Sequence, residues 1–323
     1  MRNKRVLVTG GAGFIGSNLI ESLLDAGNQV VCLDNFSTGK RENLTSFINN
    51  PHFKLIEGDI RNIEDCRNSV SNIDIVFHEA ALGSVPRSIK DPVTSTDVNI
   101  GGFVKMLFVA KEAGVNRFIY AASSSTYGDH PDLPKVEDKI GSPLSPYAIT
   151  KYVDELFADN FAKTYGIDVI GLRYFNVFGR RQDHDGAYAA VIPKFVKMLM
   201  KHEIPLINGD GSISRDFTYI DNVIQANHLA AMVINRDAIN QVYNIAHGER
   251  TTLNQLFKMI RGFAGKTDKE ILSIEPKYGP DRAGDIPHSL ASIVKAKKLL
   301  GYSPELNVEQ GLEEAVKWFR NNL

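Results

Sequence analysis

The chain has 323 residues, 43% of them hydrophobic and 23% charged, a size and balance suited to a globular protein of about two lobes around a well-buried core. Lys and Arg total 37 against 38 Asp and Glu, a formal net charge of -1, and without a long basic run there is no global electrostatic case for nucleic acid. No stretch approaches the ~18 consecutive apolar residues of a membrane span.

Taken in chain order, Met1 to Arg5 lead into Val6-Leu7-Val8-Thr9, too short an apolar run for an export segment. Cys32 and Cys66, the two cysteines, then suggest free thiols in a reducing compartment, so the expected location is cytoplasmic. Short β-branched runs at 5–9, 29–33, 53–56, 73–77, 117–120 and 169–172 read as strands. Helical patterns at 17–25, 98–113 and 147–163 lie among them. Strict alternation of this kind predicts an α/β fold with a doubly wound parallel sheet. Beyond Asn176 the alternation weakens and polar turns are interleaved with helices. The expected division is therefore 1–176 as a dinucleotide-binding domain, joined by elements re-entering from later in the chain, and 177–323 as mainly a smaller mixed α/β lobe.

Directly after the first strand comes Thr9-Gly10-Gly11-Ala12-Gly13-Phe14-Ile15-Gly16. Gly10 suits a tight turn, Gly13 lets backbone approach a pyrophosphate, and Gly16 lets helix and strand pack closely. The following helix offers free N–H groups and a partial positive charge to the anion. Asp34, at the end of the second strand, can accept from ribose hydroxyls and would repel a 2′-phosphate, which selects NAD over NADP. Asp59-Ile60, after the third strand, is placed to face the adenine.

Chemistry is carried by Ser145-Pro146-Tyr147-Ala148-Ile149-Thr150-Lys151. Ser145 is expected to cap a helix whose first residue is Pro146, which sets Tyr147 and Lys151 one turn apart on one face. A tyrosine hydroxyl titrates near ~10 and is a poor base at neutral pH; a neighbouring ammonium and a nicotinamide cation both favour its phenolate. Ser123, expected as the first hydroxyl after the fifth strand, can reach a substrate oxygen shared with Tyr147. The eight histidines form no pair at metal-ligand spacing with carboxylates or thiols.

Together these residues resemble the extended short-chain dehydrogenase/reductase family. The likeness runs over essentially the whole chain, through the 10–16 loop, Asp34, Asp59-Ile60, His78-Glu79-Ala80-Ala81, Asn99, Ser123, Tyr147 and Lys151. It implies tightly bound NAD, held by Gly10, Gly13, Phe14, Ile15, Gly16, Asp34, Asn35, Ser37, Thr38, Gly39, Asp59, Ile60, Ala80, Ala81, Asn99, Tyr147, Lys151 and Tyr174. It also implies a homodimer built on a four-helix bundle from 98–113 and 147–163. Relatives that dehydrate dTDP-glucose carry Asp-Glu after the residue matching Ser123, and UDP-glucuronate decarboxylases carry a Glu at the second position; this chain has Ser124 and Ser125. Without those acids the resemblance implies 4-epimerisation of a UDP-sugar through a transient 4-keto intermediate.

The second lobe is similar to that of the UDP-sugar 4-epimerases, which implies Asn176, Arg215 and Arg282 towards the diphosphate and Asp285 on the nucleoside ribose. Arginine's planar fork suits phosphate oxygens. Ser289 stands where members restricted to glucose and galactose tend to have Tyr. The stretches from Leu82 to Ser88, from Gly186 to Ala190 and from Asn208 to Gly211 resemble the subgroup acting on UDP-GlcNAc and UDP-GalNAc. There Gly83, Ser84 and Ser289 would border the N-acetyl group, with Ser123, Ser124 and Ser125 beside the sugar, and the plain hexoses could also be accepted. The alternative substrate is a UDP-hexuronic acid or its N-acetyl form, whose carboxylate Arg87, Lys90 or His288 could serve.

Overall fold

The computed structural model describes residues 1–184, 190–280 and 287–322. Seven parallel strands form the central sheet in the order β11-β6-β5-β4-β1-β2-β3. They are β1 (Arg5–Thr9), β2 (Gln29–Asp34), β3 (Phe53–Glu57), β4 (Ile75–His78), β5 (Arg117–Ser123), β6 (Asp168–Tyr174) and β11 (Gln241–Ile245). Their alternate residues feed two cores. Val6, Val8, Val30, Cys32, Ile119 and Ile170 face one side; Leu7, Val31, Leu33, Phe118, Tyr120 and Val169 face the other. Each fully buried side chain of this size is worth about 1.5–3 kcal/mol, so the period-two pattern fixes each strand's register against both layers.

The chain winds outward from β1 through β2 to β3, then returns to the other side of β1 for β4, β5 and β6. This reversal opens a crevice at the carboxyl ends of β1 and β4, where open sheets of this kind bind ligands. Helix α1 (Phe14–Asp25) follows the glycine turn, while α2 (Ile63–Ser69), α3 (Val85–Lys90) and α4 (Pro92–Thr96) precede a π-helical segment, Asp97–Gly102, and α5 (Phe103–Glu112). The helix expected over 98–113 is thus widened in its first part. Gly101 and Gly102 offer no side chains to resist this, and a Cβ on Gly102 would fall 2.5 Å from the Ile60 side chain.

Helix α6 (Pro146–Tyr165) begins where expected: Ser145 Oγ accepts from the Ala148 N–H and Pro146 is the first helical residue. It is held to the sheet by a buried bidentate pair, Arg173 Nε to Glu155 Oε1 at 2.8 Å and Nη2 to Oε2 at 2.7 Å. Beyond β6 three small two-stranded sheets build the second lobe: β7 (Val177–Phe178) with β10 (Thr218–Tyr219), β8 (Leu206–Asn208) with β13 (Lys277–Gly279), and β9 (Ser214–Arg215) with β12 (Thr251–Thr252). Helices α7 (Val191–Met200), α9 (Leu253–Ala264) and α11 (Val308–Asn322) pack on one another there, while α8 (Ile220–Met232) packs on α1, β5 and β6 and α10 (Val294–Leu300) on β11 of the central sheet. The chain re-enters the central sheet as β11 beside β6. Among the described residues no helix is long and apolar enough to cross a membrane.

Candidate active site

The crevice at the strand reversal is lined by Gly10, Gly13, Phe14, Ile15, Gly16, Asp34, Asn35, Ser37, Thr38, Asp59, Ile60, Ala80 and Ala81, together with Glu79, Leu82 and Gly83. Most of the expected dinucleotide contacts therefore converge. Gly10 has φ +67°, and a Cβ there would lie 2.7 Å from the Ala80 backbone; one on Gly16 would lie 2.3 Å from the Gly10 carbonyl oxygen. Side chains would fill this cradle, so the turn is shaped for a group that approaches the backbone closely, as a pyrophosphate does. Gly39 sits behind it, packed on Ala12.

Asp34 does more than await a ribose. Its Oδ2 accepts from the Ala12 N–H at 2.9 Å and Oδ1 from the Phe36 N–H at 2.8 Å, tying the glycine turn to the end of β2. Burial pushes its carboxyl up, and these two backbone donors oppose the shift. Each carboxylate oxygen retains lone-pair capacity for a further donor. Asp59 is bound by Arg61 and by the Asn35 amide, and the Arg61 bond holds its carboxyl at about 2.

Asn99 is buried and works on its neighbours: its Oδ1 accepts from the Leu82 N–H at 2.8 Å and its amide donates to Thr150 Oγ1 at 3.0 Å. Tyr174 lies behind the crevice, donating to Glu79 Oε1 at 2.9 Å while the Asn227 amide donates to it. Glu79 was missed as a site residue in the sequence. Its only signal is an acid closing an apolar strand, and burial pushes it up to about 7 against the lowering effects of Tyr174 and Lys151.

At the end of β5, Ser123 is the last strand residue, paired with Tyr174, and not the first residue beyond the strand. The ladder with β6 continues through Ala121 and Ala122, which small side chains do not announce in sequence. Ser123 Oγ accepts from both the Ser125 N–H and the Ser125 hydroxyl, so its own O–H is left to donate. Tyr147 is half-buried in the first turn of α6, its N–H donating to Ser88 Oγ at 3.0 Å. Ser88, another residue not foreseen, thereby docks α3 on the start of α6. Lys151 is 3% exposed and its Nζ donates to the Ala121 carbonyl at 2.9 Å. His78 pairs with Thr9, and burial, then Lys151, pushes it down to about 3, which keeps it neutral.

A second cavity, in the other lobe, is lined by Asn176, Gln182, Lys194, Phe195, Asn208, Arg215 and Phe217. Asn176 takes a positive φ of 37° and its amide donates to the Asp216 carbonyl. Asp216 is fully buried and gathers the N–H groups of His247, Gly248 and Ala291, which fixes the loops around Arg215. Ser289 is held beside it, its N–H donating to the Ser214 carbonyl at 3.1 Å. Ser84 caps α3, and a Cβ on Gly83 would meet nothing within 4 Å. Arg282, Asp285 and the 186–189 stretch lie outside the described residues.

A doubly wound sheet with a glycine cradle, an acid closing β2 and a Tyr–Lys helix defines a dinucleotide-dependent enzyme of the extended short-chain dehydrogenase/reductase type. The sequence pattern described as the NAD dependent epimerase/dehydratase family matches residues 6–246, and the chain belongs to that family. It is 35% identical over 320 residues to a UDP-glucose 4-epimerase of Mycolicibacterium smegmatis, covering 98% of this chain and 99% of that protein. A UDP-N-acetylglucosamine 4-epimerase from Methanobrevibacter ruminantium M1, solved with UDP-N-acetylmuramic acid, superposes with a TM-score of 0.93 at 40% identity, covering 100% of both chains. A UDP-glucuronic acid 4-epimerase from Bacillus cereus, solved with UDP-glucuronic acid and NAD, gives 0.88 at 33%, covering 99% of this chain and 100% of that one. NAD is the cofactor of this enzyme.

Proposed function

We propose that this NAD-dependent UDP-sugar 4-epimerase interconverts UDP-GlcNAc and UDP-GalNAc and also accepts the plain hexose pair. NAD would be held by the glycine cradle, Asp34 and the residues that line the first crevice, with Lys151 and Asn99 at its nicotinamide end. When bound it supplies reversible two-electron oxidation at C4 of the sugar. Tyr147 takes the proton from the C4 hydroxyl and returns it. Ser123 donates to that oxygen, and Lys151, one turn away, stabilises the charge Tyr147 carries once its own proton has gone. Arg215 and Asn176 hold the diphosphate, with Arg282 and Asp285 proposed to join them.

Open space at Gly83 on the rim of the cofactor crevice carries the substrate reading. It leaves room for an N-acetyl group and for a keto sugar to present its other face. Ser289, small and fastened by its backbone beside Arg215, supports the same reading. An NMR time course of UDP-GalNAc, UDP-Gal and UDP-GalNAc-uronate without added cofactor tests it: the acetylated sugar should turn over fastest, and turnover of the acid alone would overturn it.

Exposed apolar side chains also support a homodimer. Ile89 of α3, Val93 of α4, and Ile149 and Leu156 of α6 face solvent on helices packed against one another. Among the described residues no large hydrophobic of 98–113 is so exposed, so α3 and α4 are proposed to join α6 at the interface.

A further inference from the structure

The helix that carries Tyr147 and Lys151 also carries an acid that the mechanism above does not use. Asp154 is 0% exposed. Its Oδ2 lies 3.3 Å from Lys151 Nζ, with the two side chains 1% and 3% exposed. Its other oxygen, Oδ1, is buried with no hydrogen-bond partner among the described residues. The carboxyl is thus spent on the lysine.

An ammonium has three N–H donors. Here one goes to Asp154 on α6 and one to the Ala121 carbonyl on β5, acceptors on two rigid elements, which leaves a single donor direction for the reaction site. A carboxylate and an ammonium buried this deeply lose much solvation, and packed apolar residues would join helix to sheet at lower cost. Packing alone therefore does not account for an acid at this place.

We propose that Asp154 is a positioning residue for the reaction: as the buried counter-ion of Lys151 it fixes where the ammonium points and how much of its charge reaches Tyr147. The proposal rests on the roles given to Tyr147 and Lys151 above. The titratable groups around Asp154 are Lys151 and Glu155 on its own helix and Tyr120 on β5. Glu155 is neutralised by Arg173 of β6, and Tyr120 is pushed up by burial and stays neutral. His78, the last residue of β4, and Glu79 just beyond it also interact electrostatically with Lys151. Among the described residues Lys151 is therefore the one cation paired with Asp154. Burial raises the Asp154 carboxyl to about 7, and Lys151, by its charge and its hydrogen bond, opposes the rise.

Asp154→Asn keeps the volume and an oxygen acceptor but removes the charge, so Lys151 acts on Tyr147 uncompensated. Tyrosinate absorbance in the NAD-loaded enzyme, measured as each protein minus its Tyr147→Phe form, should then grow in at a pH lower by ~0.5 unit or more, and the acid limb of kcat should move the same way. KM for UDP-GalNAc should change less than ~2-fold, since ground-state binding is untouched. Profiles superimposable on the native ones would overturn the proposal. Thermal melting gives an independent readout if D154N folds poorly: the neutral pair K151M/D154N should melt above D154N alone. A double variant no more stable than D154N would show the two side chains uncoupled and would equally overturn it. Native turnover by Tyr147→Phe would instead sink the catalytic reading itself, whereas an inert Tyr147→Phe beside an unshifted D154N would remove the role of Asp154 only.

Discussion

Single residues here carry charge in places where charge is expensive, and those places surround the reacting groups. Glu79 is the clearest. Burial lifts its carboxyl from 4.5 to about 7, so the folded chain holds this proton more tightly than the unfolded chain does. The stabilising contribution is full below pH 4.5 and is lost as the pH rises through about 7. Thermal stability should therefore fall across that window, and Glu79→Gln, which can still accept from Tyr174, should flatten the fall. A native-like slope in the variant would assign the dependence to other groups. Such acids were beyond the reach of sequence reading because burial is a property of the fold. Glu79 and Asp154 sit in ordinary strand-end and helical contexts, and only packing from distant segments removes them from water. The Ser145–Pro146 cap was legible because its hydrogen bond to Ala148 spans three residues and needs nothing from elsewhere in the chain.

At the scale of elements, the turn between β1 and α1 decides whether a dinucleotide can be held. A Cβ on Gly16 would press on the Gly10 carbonyl and, at 2.8 Å, on Gly11 Cα, so the loop would have to move off the helix N-terminus proposed to hold the phosphates. Gly16→Ala should yield protein that folds but is purified with little or no NAD, as read by absorbance of the acid-released nucleotide. Native NAD content would show that the close approach is dispensable. The alternation of strands and helices made this region readable, since β1, β2 and β4 are buried along almost their whole length and so read as continuous apolar runs. Element ends were less visible. Helix α1 starts at Phe14 rather than 17 because the glycines that would weaken an isolated helix are here required by a neighbouring backbone. Within the π-helical turn at Asp97–Gly102, Asn99 bonds to Leu82 and Thr150, long-range contacts that no local pattern announces.

Across the whole molecule, two lobes hold two clefts, one lined by strand ends of the sheet and one built from small paired strands around Arg215. The helices α3, α4 and α6 leave Ile89 64%, Val93 78% and Leu156 51% exposed, and exposed apolar side chains on neighbouring helices are what a subunit interface would cover. Leu156→Glu should convert the proposed dimer to a monomer in light scattering, since a charge buried in an apolar interface would be left without a partner. An unchanged mass would place the interface elsewhere. The second lobe was legible mainly by likeness, because its proposed binding side chains come from segments far apart in the chain and share no periodicity.

The proposed chemistry turns on the hydroxyl of Tyr147. Tyr147→Phe, purified with its nucleotide and followed by NMR with UDP-GalNAc, tests this most directly. We expect native NAD content with epimerisation reduced by at least ~10²-fold; native NAD content with undiminished turnover would contradict the assignment of Tyr147 as the acid and base at C4.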